Sequence, residues 1–304
     1  MLNFIRLAAI VVVASWLLPQ PAQAITRTVT LTATPAVVDT GGKAGEEVKV
    51  SFKLTNSADV VLPIQMSTRD TRPRDGQSPE LVRSLSAKGW IEFTEPDFIL
   101  KANETKTVEA TLFIPSDAPS GGHYADMVVK PLSLEGDDGF IAAQPELAVQ
   151  MLISVAGTIR EDITTDREGP STIITHSASK EELTFTVQNR GNIHTIFQPR
   201  LTLQKGKGSL ESINQQPVII LPSENKKMTY QLLDKLSAGI YRVQAINSFG
   251  TPNKDATSSE IRVIVLPFNP KVLFVIPLMV LAVYAFRARS RLIQAVKAIT
   301  RGQT

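Results

Sequence analysis

Histidine is the first residue type to examine for chemistry, because imidazole binds metals and transfers protons near neutral pH. The chain has three, His123, His176 and His194, and no two lie closer than 18 positions. This spacing does not fit the paired histidines of a zinc site. The chain has no cysteine, which excludes disulfides, thiolate–metal sites and a cysteine nucleophile. Since the motifs of serine hydrolases, phosphate-binding loops and dinucleotide-binding turns are also missing, we predict no enzymatic activity and no metal or cofactor site.

A cluster of arginines is the most unusual feature of the sequence. Arg69, Arg72 and Arg74 fall within the run STRDTRPRDG at positions 67–76. Guanidinium groups form paired hydrogen bonds with carboxylates and phosphates. We therefore predict that this loop binds an anionic ligand or an acidic partner. The alternative is a solvated loop in which Asp70 and Asp75 neutralise the arginines.

Two further stretches are candidates for binding. Trp90, in the sequence KGWIEF, is either a core residue or an aromatic contact for a sugar or a protein partner. The acidic segment at 160–170 contains Glu161, Asp162, Asp166 and Glu168, which could hold calcium between two modules. A solvated linker is the favoured interpretation of that segment.

Both ends of the chain carry apolar runs. Residues 1–24 have a single charge at Arg6, an apolar stretch and a small-x-small motif ending at Ala24, which is typical of a cleaved signal peptide. A second apolar run predicts a transmembrane helix at 267–286. The segment 287–304 carries basic residues and no acid, which predicts a cytoplasmic tail. These features predict a single-pass membrane protein with its N-terminal portion outside the cell.

The intervening residues alternate between apolar and polar with a period of two, which is typical of half-buried strands. We predict an all-β fold of two tandem immunoglobulin-like sandwiches, at 25–157 and 170–266, joined by a linker at 158–169. An internal repeat supports two modules. The run VSFKLTN at 50–56 corresponds to LTFTVQN at 183–189, and each is a strand that ends in asparagine at a polar turn.

The net charge reflects this layout. The whole chain has a formal charge of +3, which becomes −4 for residues 25–270 once Arg6 and the six cations of 271–304 are set aside. Since the modules are mildly acidic, nucleic acid is not an expected partner.

The pattern of the first module resembles that of bacterial extracytoplasmic immunoglobulin-like domains, including pilus chaperones. It rests on the asparagine-ended strand at 50–56, the segment WIEFTEPDFIL at 90–100 and the Gly-Gly-His-Tyr motif at 121–124. The whole layout more closely resembles the WxL-interacting proteins of Gram-positive surfaces. That resemblance implies a non-catalytic protein whose modules bind peptidoglycan and a surface protein.

Two functional hypotheses follow. The leading one is a membrane-anchored scaffold or adhesion protein at the cell surface, which binds a cell-wall glycan or another surface protein. The alternative is an extracytoplasmic assembly chaperone, which exchanges an exposed strand edge with a secreted or surface client.

Overall fold

The structure is a computed structural model, and it describes residues 30–132, 146–167, 169–176, 181–208, 210–232, 236–250, 252–267 and 275–289. The predicted signal peptide at 1–24 lies outside the described residues, as does most of the predicted cytoplasmic tail. Strands dominate the described part, so the all-β prediction is confirmed.

The first sandwich is built from two sheets within residues 31–155. Its strands are β1 (Leu31–Thr34), β2 (Val37–Gly42), β3 (Glu47–Asn56), β4 (Leu62–Arg69), β5 (Ile91–Phe93), β6 (Asp97–Leu100), β7 (Thr105–Phe113), β8 (Gly121–Pro131) and β9 (Leu147–Val155). Sheet 1 has the order β1-β3-β7-β5, and sheet 2 has the order β2-β9-β8-β4-β6. Every pairing is antiparallel except that of β2 with β9. This division of strands is that of an immunoglobulin-like sandwich.

The second sandwich repeats this plan within residues 163–265. Its strands are β10 (Ile163–Asp166), β11 (Thr172–Thr175), β12 (Glu182–Asn189), β13 (Thr195–Lys205), β14 (Leu210–Asn214), β15 (Val218–Ile220), β16 (Asn225–Gln231), β17 (Gly239–Phe249), β18 (Lys254–Thr257) and β19 (Ile261–Val265). Sheet 3 has the order β10-β12-β16, and sheet 4 has the order β11-β19-β17-β13-β14, with β15 paired to β13 and β18 to β17.

Alternation along the strands builds the two cores. In β3 the side chains of Val50, Phe52 and Leu54 are buried, whereas Ser51 and Lys53 between them face solvent. Successive strand residues point to opposite faces, so the apolar set of each strand enters the space between the sheets. Each buried side chain of this size contributes about 1.5–3 kcal/mol relative to its exposed state. With no cysteine in the chain, apolar packing takes the place of the disulfide of antibody domains.

The internal repeat marks the same structural corner in both sandwiches. The Asn56 amide donates to the backbone oxygen of Val60 at 2.7 Å, and Asn189 donates to that of Ile193, also at 2.7 Å. In each case the side-chain oxygen accepts from the backbone N–H two residues onward. Both asparagines are fully buried. Since a buried amide must be hydrogen-bonded, this corner explains why the repeat ends in asparagine.

Two α-helices are described. The first, α1 (Pro79–Ser84), begins at Ser78, whose hydroxyl accepts from the backbone N–H of Leu81. A 3-10 turn follows at Lys88–Trp90. The second helix, α2, comprises residues 275–289 and overlaps the predicted membrane span at 267–286.

The prediction of a membrane span is not supported by α2. No helix in the described ranges has both the length and the hydropathy that crossing a bilayer requires. The predicted localisation, a single-pass membrane protein with a cytoplasmic tail, is wrong on this finding.

Candidate functional site

The three predicted arginines lie near one another but have different contacts. We call residues 70–78, between β4 and α1, the arginine loop. Arg69, the last residue of β4, contacts Asp126 at 3.4 Å and Glu146 at 3.2 Å. It lies on the outer face of sheet 2, opposite Asp126 across the β4–β8 pair. The pKa of Asp126 is nevertheless raised, because burial outweighs the hydrogen bond and the charge of Arg69.

Arg74 joins the two sandwiches. Its guanidinium group donates to both carboxylate oxygens of Glu224, at 3.3 and 3.1 Å, and to the side-chain oxygen of Gln150 at 3.0 Å. Glu224 is 4% exposed, and its carboxylate also accepts from the backbone N–H of Leu221 at 2.8 Å. A buried carboxylate needs such partners, so Arg74 fixes the turn between β15 and β16 against the first sandwich.

Two further hydrogen bonds connect the arginine loop to the same turn. The backbone N–H of Asn225 donates to the carbonyl of Asp75 at 2.7 Å. The Gln77 amide donates to the carbonyl of Pro222 at 2.8 Å. The arginine loop is therefore mainly an intramolecular connection. It is neither the solvated loop nor simply the ligand-binding loop that the sequence suggested.

Arg72 is the arginine of this loop that faces solvent, and no ion pair or hydrogen bond is recorded for its side chain within the described residues. It lines an open cavity of about 400 Å³ together with Arg69, Thr71, Asp126 and Gln150. Of the three predicted arginines, Arg72 is thus the one whose charge is available to a partner. Its role as a ligand contact remains a prediction.

Trp90 packs against the core of the first sandwich. Its ring centroid lies 4.6 Å from that of the buried His123, with the rings tilted by 42°. Packing against the core and against His123 is therefore sufficient to explain a tryptophan at this position. An additional role as an aromatic contact for a partner stays a prediction.

A second group of contacts joins the sandwiches around a small apolar cluster. Tyr124, Leu152 and Leu221 form its buried centre, with contributions from both sandwiches. Tyr124 approaches His194 Nδ1 at 3.4 Å, and His194 Nε2 lies 3.2 Å from the carboxylate of Asp39. Burial raises the pKa of Tyr124, so its hydroxyl stays protonated.

Gly121 and Gly122 allow the backbones to meet at this cluster. The N–H of Gly122 donates to the carbonyl of Asn192 at 2.8 Å. A Cβ on Gly121 would lie 2.6 Å from that carbonyl oxygen, and its φ of +124° favours glycine in any case. The pair of glycines before a buried tyrosine was the available signal for a close contact.

We call the contacts between the two sandwiches, at the arginine loop and at the Tyr124 cluster, the junction. The stability of the junction should depend on pH through His194. Burial lowers the pKa of His194, and the neighbouring Asp39 offsets only part of that effect. The unfolded chain, with a histidine pKa near 6.5, then binds protons more readily than the native protein. We expect the unfolding free energy to fall as pH decreases below about 6.5. Tyr124 contacts this imidazole, and Arg74 and Glu224 interact electrostatically with Tyr124.

Chemical denaturation between pH 5 and 8 would measure this dependence. The pKa of His123 is also lowered by burial, so it contributes a similar slope. His194→Gln should flatten part of the pH dependence, and His123→Gln the remaining part. An unchanged slope in both variants would contradict the assignment.

Part of β9 lies at an open edge of sheet 2. β2 pairs with β9 only from Gln150 to Val155. The N–H of Gln150 donates to the carbonyl of Ala36 at 3.0 Å, and before Ala36 the chain passes to β1 in sheet 1. Within the described residues, Leu147–Val149 therefore pair with β8 on one side and with no strand on the other.

The acidic segment at 160–170 includes β10 (Ile163–Asp166) of the second sandwich. Glu161 approaches Lys254 at 3.9 Å. No group of three or more carboxylates and histidines suited to a metal was found among the described residues, which do not include Glu168. The calcium interpretation gains no support from this arrangement.

Comparison with known proteins finds similarity only at the level of solved structures. No family model matches the chain, and no curated protein matches it. The YadV chaperone shares 11% identity, with a TM-score of 0.40 over 76% of this chain and 98% of the other. The DraB chaperone of E. coli shares 12%, with a TM-score of 0.38 over 79% and 98%. The CupB2 chaperone of Pseudomonas aeruginosa shares 11%, with a TM-score of 0.36 over 76% and 99%.

These comparisons correct the leading functional prediction. The similar structures are chaperones, and a further one is described as periplasmic. Among the residues that the structure describes, no helix is both long and apolar enough to span a bilayer. The prediction of a membrane-anchored scaffold that binds cell-wall glycan is wrong on these findings. The resemblance to WxL-interacting proteins gains no support, because none of the similar structures named above is such a protein.

Proposed function

We propose that this protein is an extracytoplasmic assembly chaperone that pairs an open sheet edge with a strand of a secreted or surface client. The observation that carries this proposal is the open edge at Leu147–Val149, where β9 continues beyond the end of β2. An unpaired edge of this kind is a template for strand addition. The predicted signal peptide at 1–24 would bring the protein to such clients.

The hydrogen-bonding groups at this edge can be assigned by alternation. Because the N–H of Gln150 points toward β2, the N–H of Ala148 points to the same side. The N–H groups of Leu147 and Val149 point toward β8. The N–H and carbonyl of Ala148 are therefore the groups that a client strand would meet first, in line with the ladder that β2 makes from Gln150 onward.

The hydrogen bonds between the two sandwiches support this function. Gln150 lies two residues beyond Ala148 on β9 and accepts a hydrogen bond from Arg74, which also holds Glu224 of the second sandwich. The open edge is thereby fixed relative to both sandwiches before a client arrives. Preorganisation of this kind lowers the entropic cost of binding. Arg72, exposed nearby, is the candidate contact for an acidic group of the client.

The proline substitution Ala148→Pro tests the proposal. Proline would remove the outward N–H without removing a bond to β8, and it is compatible with an edge strand. In the organism that makes the protein, deletion of the gene should cause a specific secreted protein to aggregate or be degraded. We expect Ala148→Pro to fail to restore that protein, measured as its amount in the soluble extracytoplasmic fraction.

Ala148→Ser is the matched control, because it keeps the N–H and should restore the client fully. Arg72→Gln in the same assay tests the cationic contact, with partial restoration expected. Full restoration by Ala148→Pro, with the variant as stable as the native protein, would contradict strand pairing at this edge.

A further inference from the structure

The second sandwich has an open edge of its own at β11. This strand ends the order of sheet 4, and within the described residues it pairs only with β19. The N–H of Arg262 donates to the carbonyl of Ser171 at 2.8 Å, and that of Leu266 donates to Thr175 at 2.7 Å. By alternation, the backbone groups of Thr172 and Ile174 point away from β19, to the open side.

This edge lacks the features that usually prevent association. Its sequence, Thr-Ile-Ile-Thr, is uncharged, β-branched throughout and free of proline. The side chain of Ile174 is 65% exposed. By contrast, the edge strands β6, β10 and β14 carry Asp97, Asp166 and Glu211, respectively. Natural proteins protect sheet edges with charges, prolines or bulges, so an unprotected edge with an exposed isoleucine indicates a pairing surface.

We propose that β11 pairs with β11 of a second copy of this chain, antiparallel across a twofold axis at Ile173. In this register Thr172 of each copy lies opposite Ile174 of the other. The two pairs that result are both hydrogen-bonded pairs. The outward N–H and carbonyl groups of Thr172 and Ile174 then all form hydrogen bonds. The two Ile173 residues face each other as a non-hydrogen-bonded pair on the axis.

Self-pairing fits this edge better than an acidic or basic partner does. The strand brings no charge to the axis, so two copies meet without repulsion, and a twofold axis requires only that the strand complement itself. On the outer face of sheet 4, Ile174, Ile264 and Ile240 lie side by side on three neighbouring strands. Pairing would join two such rows across one continuous sheet. Because the edge is short, we expect weak association that increases with protein concentration.

Single-cysteine variants test the register, because the native chain contains no cysteine. Cα atoms opposite each other in a non-hydrogen-bonded pair lie about 4.5 Å apart, within the range of a disulfide. Purified full-length Ile173→Cys should therefore form a disulfide-linked dimer under mild oxidation. Thr172→Cys alone should not, whereas a mixture of Thr172→Cys and Ile174→Cys should form the mixed dimer.

Leu210→Cys is the matched control, because Leu210 is 64% exposed on β14 at the opposite edge of sheet 4. It should cross-link far less than Ile173→Cys. As an independent measurement, Ile174→Lys in the otherwise native chain should reduce association in sedimentation experiments at least several-fold. Equal cross-linking of the Ile173 and Leu210 variants, self-linking by Thr172→Cys, or association unaffected by Ile174→Lys would each overturn the proposal.

Discussion

Replacing Gly121 by alanine should destabilise the protein by about 2–4 kcal/mol, the sum of backbone strain and a close contact. The φ of +124° is one that residues with a side chain rarely adopt. The new Cβ would also lie 2.6 Å from the carbonyl oxygen of Asn192, a backbone atom of the second sandwich. The neighbouring bond from Gly122 to that same oxygen would be lost as the backbones separate.

Denaturant unfolding would measure the loss, and small-angle X-ray scattering would show whether the sandwiches separate. Gly89→Ala is the control, since nothing lies within 4 Å of a Cβ there. We expect its unfolding free energy to change by less than about 0.5 kcal/mol. Equal effects of the two substitutions would show that the contact with Asn192 is not tight in solution.

Replacing Arg74 by alanine should lower the free energy of unfolding by about 2–3 kcal/mol. Breaking a buried ion pair usually costs 3–5 kcal/mol because one charge is left unpaired. We expect a smaller loss of stability here because the Arg74 side chain is 29% exposed. Glu224 also keeps its hydrogen bond from the backbone N–H of Leu221. The loss of the bond to Gln150 adds to the effect.

The double variant Arg74→Met with Glu224→Gln should recover part of the stability, because no buried charge then remains unpaired. Arg83→Ala is a suitable control, since Arg83 pairs with Glu80 on an exposed surface and should matter little. Thermal unfolding of the native protein, the single variants Arg74→Met and Glu224→Gln, and the double variant would test the coupling. Additive effects of the two replacements at 74 and 224 would argue against a direct interaction.

The strands were predictable from sequence because each buries one face, as β3 does with Val50, Phe52 and Leu54. The repeat that ends at Asn56 and Asn189 was also visible, because its amide contacts are local. The contacts at the junction between the sandwiches were not predictable from the sequence. Arg74 and Glu224 lie 150 positions apart, and such a contact leaves no periodic signal in the sequence.

Individual side chains were harder to interpret than strands. An arginine-rich loop can bind a ligand or bind its own protein, and the choice depends on what packs beside it. Here the β15–β16 turn brings Glu224 to Arg74 and leaves Arg72 exposed. The open edge of β9 could not be found from alternation either, because its exposure depends on where β2 ends.

The matching asparagine corners have a consequence for the order of folding. Asn56 and Asn189 each contact a carbonyl four residues onward, so a short segment can close either corner. The contacts between the sandwiches close longer loops, of 70 residues from Tyr124 to His194 and of 150 from Arg74 to Glu224. Short loops close at a lower entropic cost than long ones. The two asparagine corners can thus form as soon as their own strands are made, before the long-range contacts that complete either sandwich or join the two.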